Sequence, residues 1–163
     1  MLEKQPDAYA VLKGNDRHPG IRGNVLFYDT GDGTMVFAEV CGVVDKDGKL
    51  SNRFHGFHIH AGSSCSRNAE DAFADTDGHF TPFPMPHPDH AGDLPPLLMN
   101  RGCAWMQVLT ERFRPKEIIG RTVVLHDMSD DFHTQPAGDS GEKIACGEIH
   151  AVEIGRASCR ERV

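Results

Sequence analysis

The stretch Ile21-Arg-Gly-Asn-Val-Leu-Phe-Tyr-Asp-Thr-Gly-Asp-Gly-Thr-Met-Val-Phe-Ala-Glu-Val-Cys41 decides the fold class. Two runs of apolar and β-branched residues, Ile21–Tyr28 and Thr34–Cys41, flank the turn Gly31-Asp-Gly33. Such a turn between alternating runs predicts a β-hairpin. Further short strands are expected on either side of it. Ala8–Lys13 precedes the hairpin, and Asp45-Lys-Asp-Gly48 supplies another turn after it. Phe57-His-Ile-His60, Ala104–Leu109, Thr122–His126 and Cys146–Val152 complete the set, and Arg112–Ile118 has room for one helical turn. Two long segments lack any period: Ala61 to Pro96, dense in Gly, Pro, Asp and His, and Asp127 to Ala145. Aperiodic loops of such length are functional or disordered. Short strands with regular turns and weak helical periodicity predict an all-β sandwich or barrel.

Composition narrows the partners. The chain has 163 residues, enough for one domain with its own core, and a formal net charge of −7. An acidic balance argues against nucleic acid, whose phosphates call for a basic face. No run approaches about 18 apolar residues, so no membrane-spanning helix is expected. The first residues, Met1-Leu-Glu-Lys-Gln-Pro-Asp7, lack the basic and apolar regions of an export signal. The chain as it stands therefore reads as cytoplasmic, and as periplasmic or extracellular if a leader has been removed. The stretch Gly155–Val163 shows neither strand alternation nor turn chemistry and reads like a translated cloning scar. The expected division is a domain at 1–153 and a non-native tail at 154–163, which carries Cys159.

Ten histidines are the compositional excess, and their order is informative. His58 and His60 stand two apart on an expected strand, so both rings leave the same face. Alone, such a pair is more often part of a half-exposed strand than half a metal site. His79, His87, His90 and Asp93 fall in the first long loop. Three imidazoles and a carboxylate make a complete tetrahedral set for zinc. His126 ends the apolar run Val123-Val-Leu-His126, a place where a packed rim histidine is the plainer reading.

Together these segments resemble the copper,zinc superoxide dismutase family. Gly56-Phe-His-Ile-His60 is similar to its first copper-binding strand, and Gly78-His-Phe-Thr-Pro82 to the segment with its bridging histidine. His87 and His90-Ala-Gly-Asp-Leu-Pro95 resemble its zinc loop. Gly120-Arg-Thr-Val-Val-Leu-His126 resembles the strand with the last copper ligand, and Lys143-Ile-Ala-Cys-Gly147 the segment with the anion-guiding cation and a disulfide cysteine. The likeness runs from about Ala8 to Val152. It implies a Greek-key sandwich or flattened barrel of about eight antiparallel strands with two long functional loops.

The resemblance further implies one copper per subunit on His58, His60, His79 and His126, and one zinc on His79, His87, His90 and Asp93. His79 would be shared, one nitrogen to each ion. Imidazole suits both ions, and near-square nitrogen coordination suits Cu(II). Asp130 stands where the family carries an acid that orients His58 and His87 through their outer nitrogens. Cys65 and Cys146 stand where it has its intrasubunit disulfide, a bridge unexpected in the cytoplasm. Cys41 and Cys103 have no assigned partner and read as small buried hydrophobes. The implied activity is disproportionation of superoxide, with His79 and Lys143 as catalytic groups, and a homodimer is compatible with the resemblance.

Three features depart from the familiar pattern. Lys143 replaces the guiding arginine, keeping charge but losing the planar fork. Glu142 directly precedes it. Both long loops are short for the family. A second reading is therefore a non-enzymatic copper or zinc protein for storage or delivery, because fold does not fix function. A zinc hydrolase is disfavoured, since four protein ligands leave no open position.

Overall fold

A computed structural model describes residues 4–153 of the chain; the expected tail with Cys159 lies outside the described residues. Nine strands form: β1 (Ala8–Gly14), β2 (Arg22–Asp29), β3 (Thr34–Cys41), β4 (Phe54–His55), β5 (Phe57–His60), β6 (Leu97–Leu98), β7 (Ala104–Thr110), β8 (Thr122–His126) and β9 (Lys143–Ala151). The helical turn expected near Ile118 is α1 (Pro115–Ile118). Seven strands make one curled antiparallel sheet in the order β5-β8-β9-β1-β2-β3-β7. β4 and β6 form a separate ribbon that the sequence pattern did not predict. The expected hairpin of β2 and β3 forms, with Asp29 facing Thr34 and Thr30 N–H donating to Gly33 O at 3.0 Å.

After β3 the chain does not continue beside it. It crosses to the far edge to lay down β5, then returns to place β7 against β3. This crossover is of Greek-key type. Alternation gives the core. Ala8, Ala10 and Leu12 of β1, Val25 and Phe27 of β2, and Val36, Ala38 and Val40 of β3 all point inward and are buried. Phe57, Ile59, Val123 and Leu125 extend the same core into β5 and β8.

The outer faces differ between the two edges. On β7 the outer face is open, with Trp105 and Leu109 exposed. On β5 and β8 every residue is buried on both faces, because the long loops fold over the side away from the core. Residues of alternate polarity on β5 therefore separate two environments: Phe57 and Ile59 the oily core, His58 and His60 the layer beneath the loops.

The cysteines require one correction. Cys65 and Cys146 are bonded, tying the first long loop to β9. Cys41 and Cys103, expected as unpartnered buried hydrophobes, are bonded to each other and only partly buried. The cause is register: Val40 pairs with Ala104 across β3 and β7, so the next positions outward, Cys41 and Cys103, face each other. Only the Greek-key crossover brings these strands together.

Candidate metal centre

The first long loop does not wander over β5 but docks along it. Ile59 N–H donates to Gly92 O at 2.9 Å, Phe80 N–H to Ile59 O at 2.8 Å, and Gly92 N–H to Phe80 O at 2.8 Å. Bridges His60–His79 and His58–Asp93 align the loop residues with the strand residues. Gly92 is needed for this approach, since a Cβ there would lie 2.2 Å from Ile59 O. On the other side β8 pairs with β5, Val124 opposite His58, and delivers His126 two residues further along. Two strands and one loop thus converge on a single patch.

Two sets of donor atoms result, each lying within 4.8 Å of one another: His58, His60, His79 and His126, and His79, His87, His90 and Asp93. These are the two ligand sets read from the sequence, and His79 belongs to both. All but Asp93 are buried. The rings of His58 and His79 come within 4.0 Å, centroid to centroid.

The hydrogen bonds decide which ring nitrogens are free. His58 Nε2–H donates to Asp130 Oδ2 at 2.8 Å, leaving Nδ1 without a partner. His87 Nε2–H donates to Asp130 Oδ1 at 2.8 Å, again leaving Nδ1 without a hydrogen bond. His60 Nδ1–H donates to Asp77 O at 2.7 Å, and His126 Nδ1–H to Gly141 O at 3.3 Å. The Nε2 atoms of His60 and His126 then face each other at 3.4 Å. His79 Nδ1 meets Asp93 Oδ1 at 2.7 Å, while its Nε2 has no partner. Asp93 Oδ2 lies 3.1 Å from His87 Nδ1 and 3.2 Å from His90 Nδ1.

Buried polar atoms without partners are costly and uncommon in a folded protein. Among the described residues five side-chain atoms are so placed; one is Arg114 Nε, and the other four lie together: Nδ1 of His58, His87 and His90 and Nε2 of His79. These four all belong to the two sets. Imidazoles crowded this way resist protonation. Burial, followed by the nearby rings, pushes His60 well below the usual histidine range and His126 down to about 3. Burial also lowers His58, against the hydrogen bond to Asp130. Burial alone would raise the Asp130 carboxyl; hydrogen bonds from His58 and His87 outweigh it and hold the group far below the usual range. At neutral pH His58, His60 and His126 are thus neutral, with Asp93 and Asp130 held anionic beside them, the donor state a metal ion requires.

Lys143 lies opposite His126 in the β8–β9 pairing, across a register shift. Its ammonium donates to Asp71 Oδ2 at 2.8 Å and to Phe73 O at 3.1 Å.

Sequence reasoning missed several supports. Gln135 grips the backbone of His87 from both sides, accepting from its N–H at 2.8 Å and donating to its carbonyl at 2.7 Å. Arg112 ties the first loop down through Pro88 O and His90 O. His55, buried, donates from Nδ1 to His126 O at 2.9 Å and meets Ser51 Oγ at 2.8 Å. His55 carried a signal, a further histidine next to the Gly56–His60 motif. Gln135 and Arg112 carried none, because their partners are remote in sequence.

Comparison with known proteins adds an independent line. Residues 21–149 match the family described as copper/zinc superoxide dismutase. The chain is 31% identical to the "Superoxide dismutase [Cu-Zn]" of Deinococcus radiodurans, over 91% of this chain and 86% of that one. It is 30% identical to the protein of the same name from Pasteurella multocida, over 91% of this chain and 82% of that one. Among solved structures, the Cu/Zn superoxide dismutase from Brucella abortus superposes with a TM-score of 0.71 at 25% identity, covering 86% of this chain and 98% of that one.

Proposed function

Because the chain belongs to the copper/zinc superoxide dismutase family, we propose that it converts two superoxide anions and two protons into dioxygen and hydrogen peroxide. The observation that carries this reading is the convergence of unpartnered, buried ring nitrogens on two adjoining points that share His79. The donor chemistry fits both ions: nitrogens alone for copper, three nitrogens and a carboxylate for zinc. We assign copper to His58, His60, His79 and His126, and zinc to His79, His87, His90 and Asp93. Copper, when bound, supplies the one-electron exchange that oxidises one superoxide and reduces the next.

The chain's own residues do the rest. Asp130, through Nε2–H of His58 and of His87, fixes both rings so that each presents Nδ1. Gly141 O and Asp77 O do the converse for His126 and His60, presenting Nε2. His79 offers Nε2 as the place where a proton for peroxide can be held, while Asp93 fixes its Nδ1 side. Lys143, beside His126 in the strand pairing, is the cation we assign to guiding the anion inward. The acidic chain makes such a local cation necessary, because the overall field repels superoxide.

We read the working protein as one of an oxidising compartment, periplasmic or extracellular, rather than the cytoplasm, and its two disulfides support that reading. A relative from Rattus norvegicus is itself named an extracellular superoxide dismutase. We further read the protein as a homodimer that binds neither nucleic acid nor membrane; light scattering of the purified chain tests the first point. The site assignment is tested by elemental analysis after dialysis against both metals. One copper and one zinc per chain are expected, His126→Ala should lose copper alone, and Asp93→Ala should lose zinc first. Loss of both ions together from His126→Ala would contradict the assignment.

A further inference from the structure

A surface pocket lined by Arg17, Arg67 and Lys143 adjoins Gly141, whose carbonyl accepts from His126, and each of its three cations is matched by an acid; we take this pocket as the mouth of the copper-side cluster. Arg17 lies 3.7 Å from Glu142, and Arg67 pairs with Asp16. Lys143, the deepest of the three, pairs with Asp71. Its side chain is 17% exposed, against 40% for Asp71, so the acid is the partner more open to solvent. Asp71 is held to this task by its own backbone. Its Oδ1 accepts Phe73 N–H at 2.8 Å, its N–H donates to Asn68 Oδ1 at 2.8 Å, and Phe73 packs with Val124 and Cys146. The disulfide Cys65–Cys146 closes the same loop onto β9. The carboxylate therefore cannot drift away from the ammonium without unpacking the loop. It stays ionised: burial would raise its pKa, but the hydrogen bond from Lys143 lowers it below the ordinary value.

We infer that Asp71 is a positioning and masking residue for Lys143: its carboxylate holds the ammonium at the mouth of the copper-side cluster and cancels much of the charge an incoming anion would feel. The inference rests on the dismutase reading above and deepens it. A point charge paired at 2.8 Å acts at a distance as a dipole, and its field falls off faster than that of a free cation. With Arg17 and Arg67 also paired, the mouth offers an approaching superoxide little net attraction. Lys143 then guides the anion only at short range, and the rate should depend only weakly on ionic strength.

Asp71→Asn tests this. The amide oxygen can still accept Phe73 N–H, so the loop keeps its fold while the charge goes. The first measurement needs no superoxide: the rate at which an amine-acetylating reagent modifies Lys143 in the metal-loaded protein, followed by peptide mass spectrometry. The second is superoxide removal across a salt series at matched copper content. Asp71→Asn should raise the labelling rate at Lys143 by about threefold or more. It should also raise the low-salt dismutation rate by about two- to tenfold, a gain that vanishes as salt screens the freed cation. Adding Lys143→Met to Asp71→Asn should abolish that gain, which a purely structural effect of residue 71 would not predict. Unchanged labelling, or a salt dependence identical to wild type, overturns the inference. A wild-type protein that binds both metals but removes no superoxide would instead overturn the dismutase reading, and the labelling result would still decide whether Asp71 masks Lys143.

Discussion

His58 donates its Nε2–H to a buried oxygen of Asp130 at 2.8 Å, and so its other nitrogen, Nδ1, is the one left free. The second oxygen of the same carboxylate does the same to His87. One acid thereby sets the orientation of one ring in each metal set and couples the two sites mechanically. Asp130→Ala should weaken binding of both ions by about 10–100-fold, as loss of an outer partner does elsewhere. Competition against chelators of known affinity measures this. A loss confined to one ion would contradict the shared role.

Gly138 approaches this carboxylate from the second loop in a left-handed conformation, φ +69. A Cβ there would fall 2.1 Å from Asp130 Oδ1 and 2.6 Å from His87 Nε2. Gly138→Ala combines backbone strain with a collision. The expectation is a phenotype close to that of Asp130→Ala in metal affinity, although residue 138 itself supplies no ligand atom. Wild-type affinity in Gly138→Ala would show that the loop yields.

The two disulfides close loops of 81 and 62 residues. In the chain-entropy model each contributes about 4 kcal/mol. Replacing Cys41 and Cys103 together by Ser should lower unfolding stability by a few kcal/mol without changing metal content, since β3 and β7 lie away from the site. Cys65→Ser with Cys146→Ser should lower both, because that bridge holds the loop at the metal centre. Non-reduced peptide mapping should recover Cys41–Cys103 and Cys65–Cys146 and no crossed pair.

Acid should unfold the metal-free protein early. His58, His60 and His126 are lowered in the fold, His126 to about 3, against an ordinary value of 6.5. Between those limits the unfolded chain binds more protons than the folded one, so stability rises with pH through this window. The contribution is fully present above about pH 6.5 and is lost as pH falls toward 3. Asp93 and Asp130, also lowered, add the same sign at the acid end, below their ordinary 3.8. The melting temperature of metal-free protein should fall steadily from pH 7.5 to pH 5, and less steeply with metals bound, since the ions compete with protons for the same nitrogens. A flat profile without metal would contradict the neutral-histidine cluster.

Much of this was legible in the sequence because it is local. Alternation along Phe57–His60 and Val123–His126 separates core from site, and the Gly31–Gly33 turn fixes the register of β2 on β3. What was not legible depends on the crossover. Cys41 meets Cys103 only because β7 returns to β3, and no short-range pattern announces that. The ribbon of β4 and β6 is two residues per strand, too short to show a period. Gln135 on His87 and Asp71 on Lys143 are polar pairings between remote loops, where composition alone says only that the segment is solvated.

Copper-dependent removal of superoxide is measured directly by stopped-flow decay of superoxide. Protein carrying one copper and one zinc per chain should remove superoxide catalytically, in proportion to its copper, and His126→Ala, stripped of copper but keeping zinc, should leave only spontaneous decay. Protein that holds both ions in these sets yet leaves superoxide decaying at the spontaneous rate would contradict the account and make the chain a metal carrier on a dismutase fold.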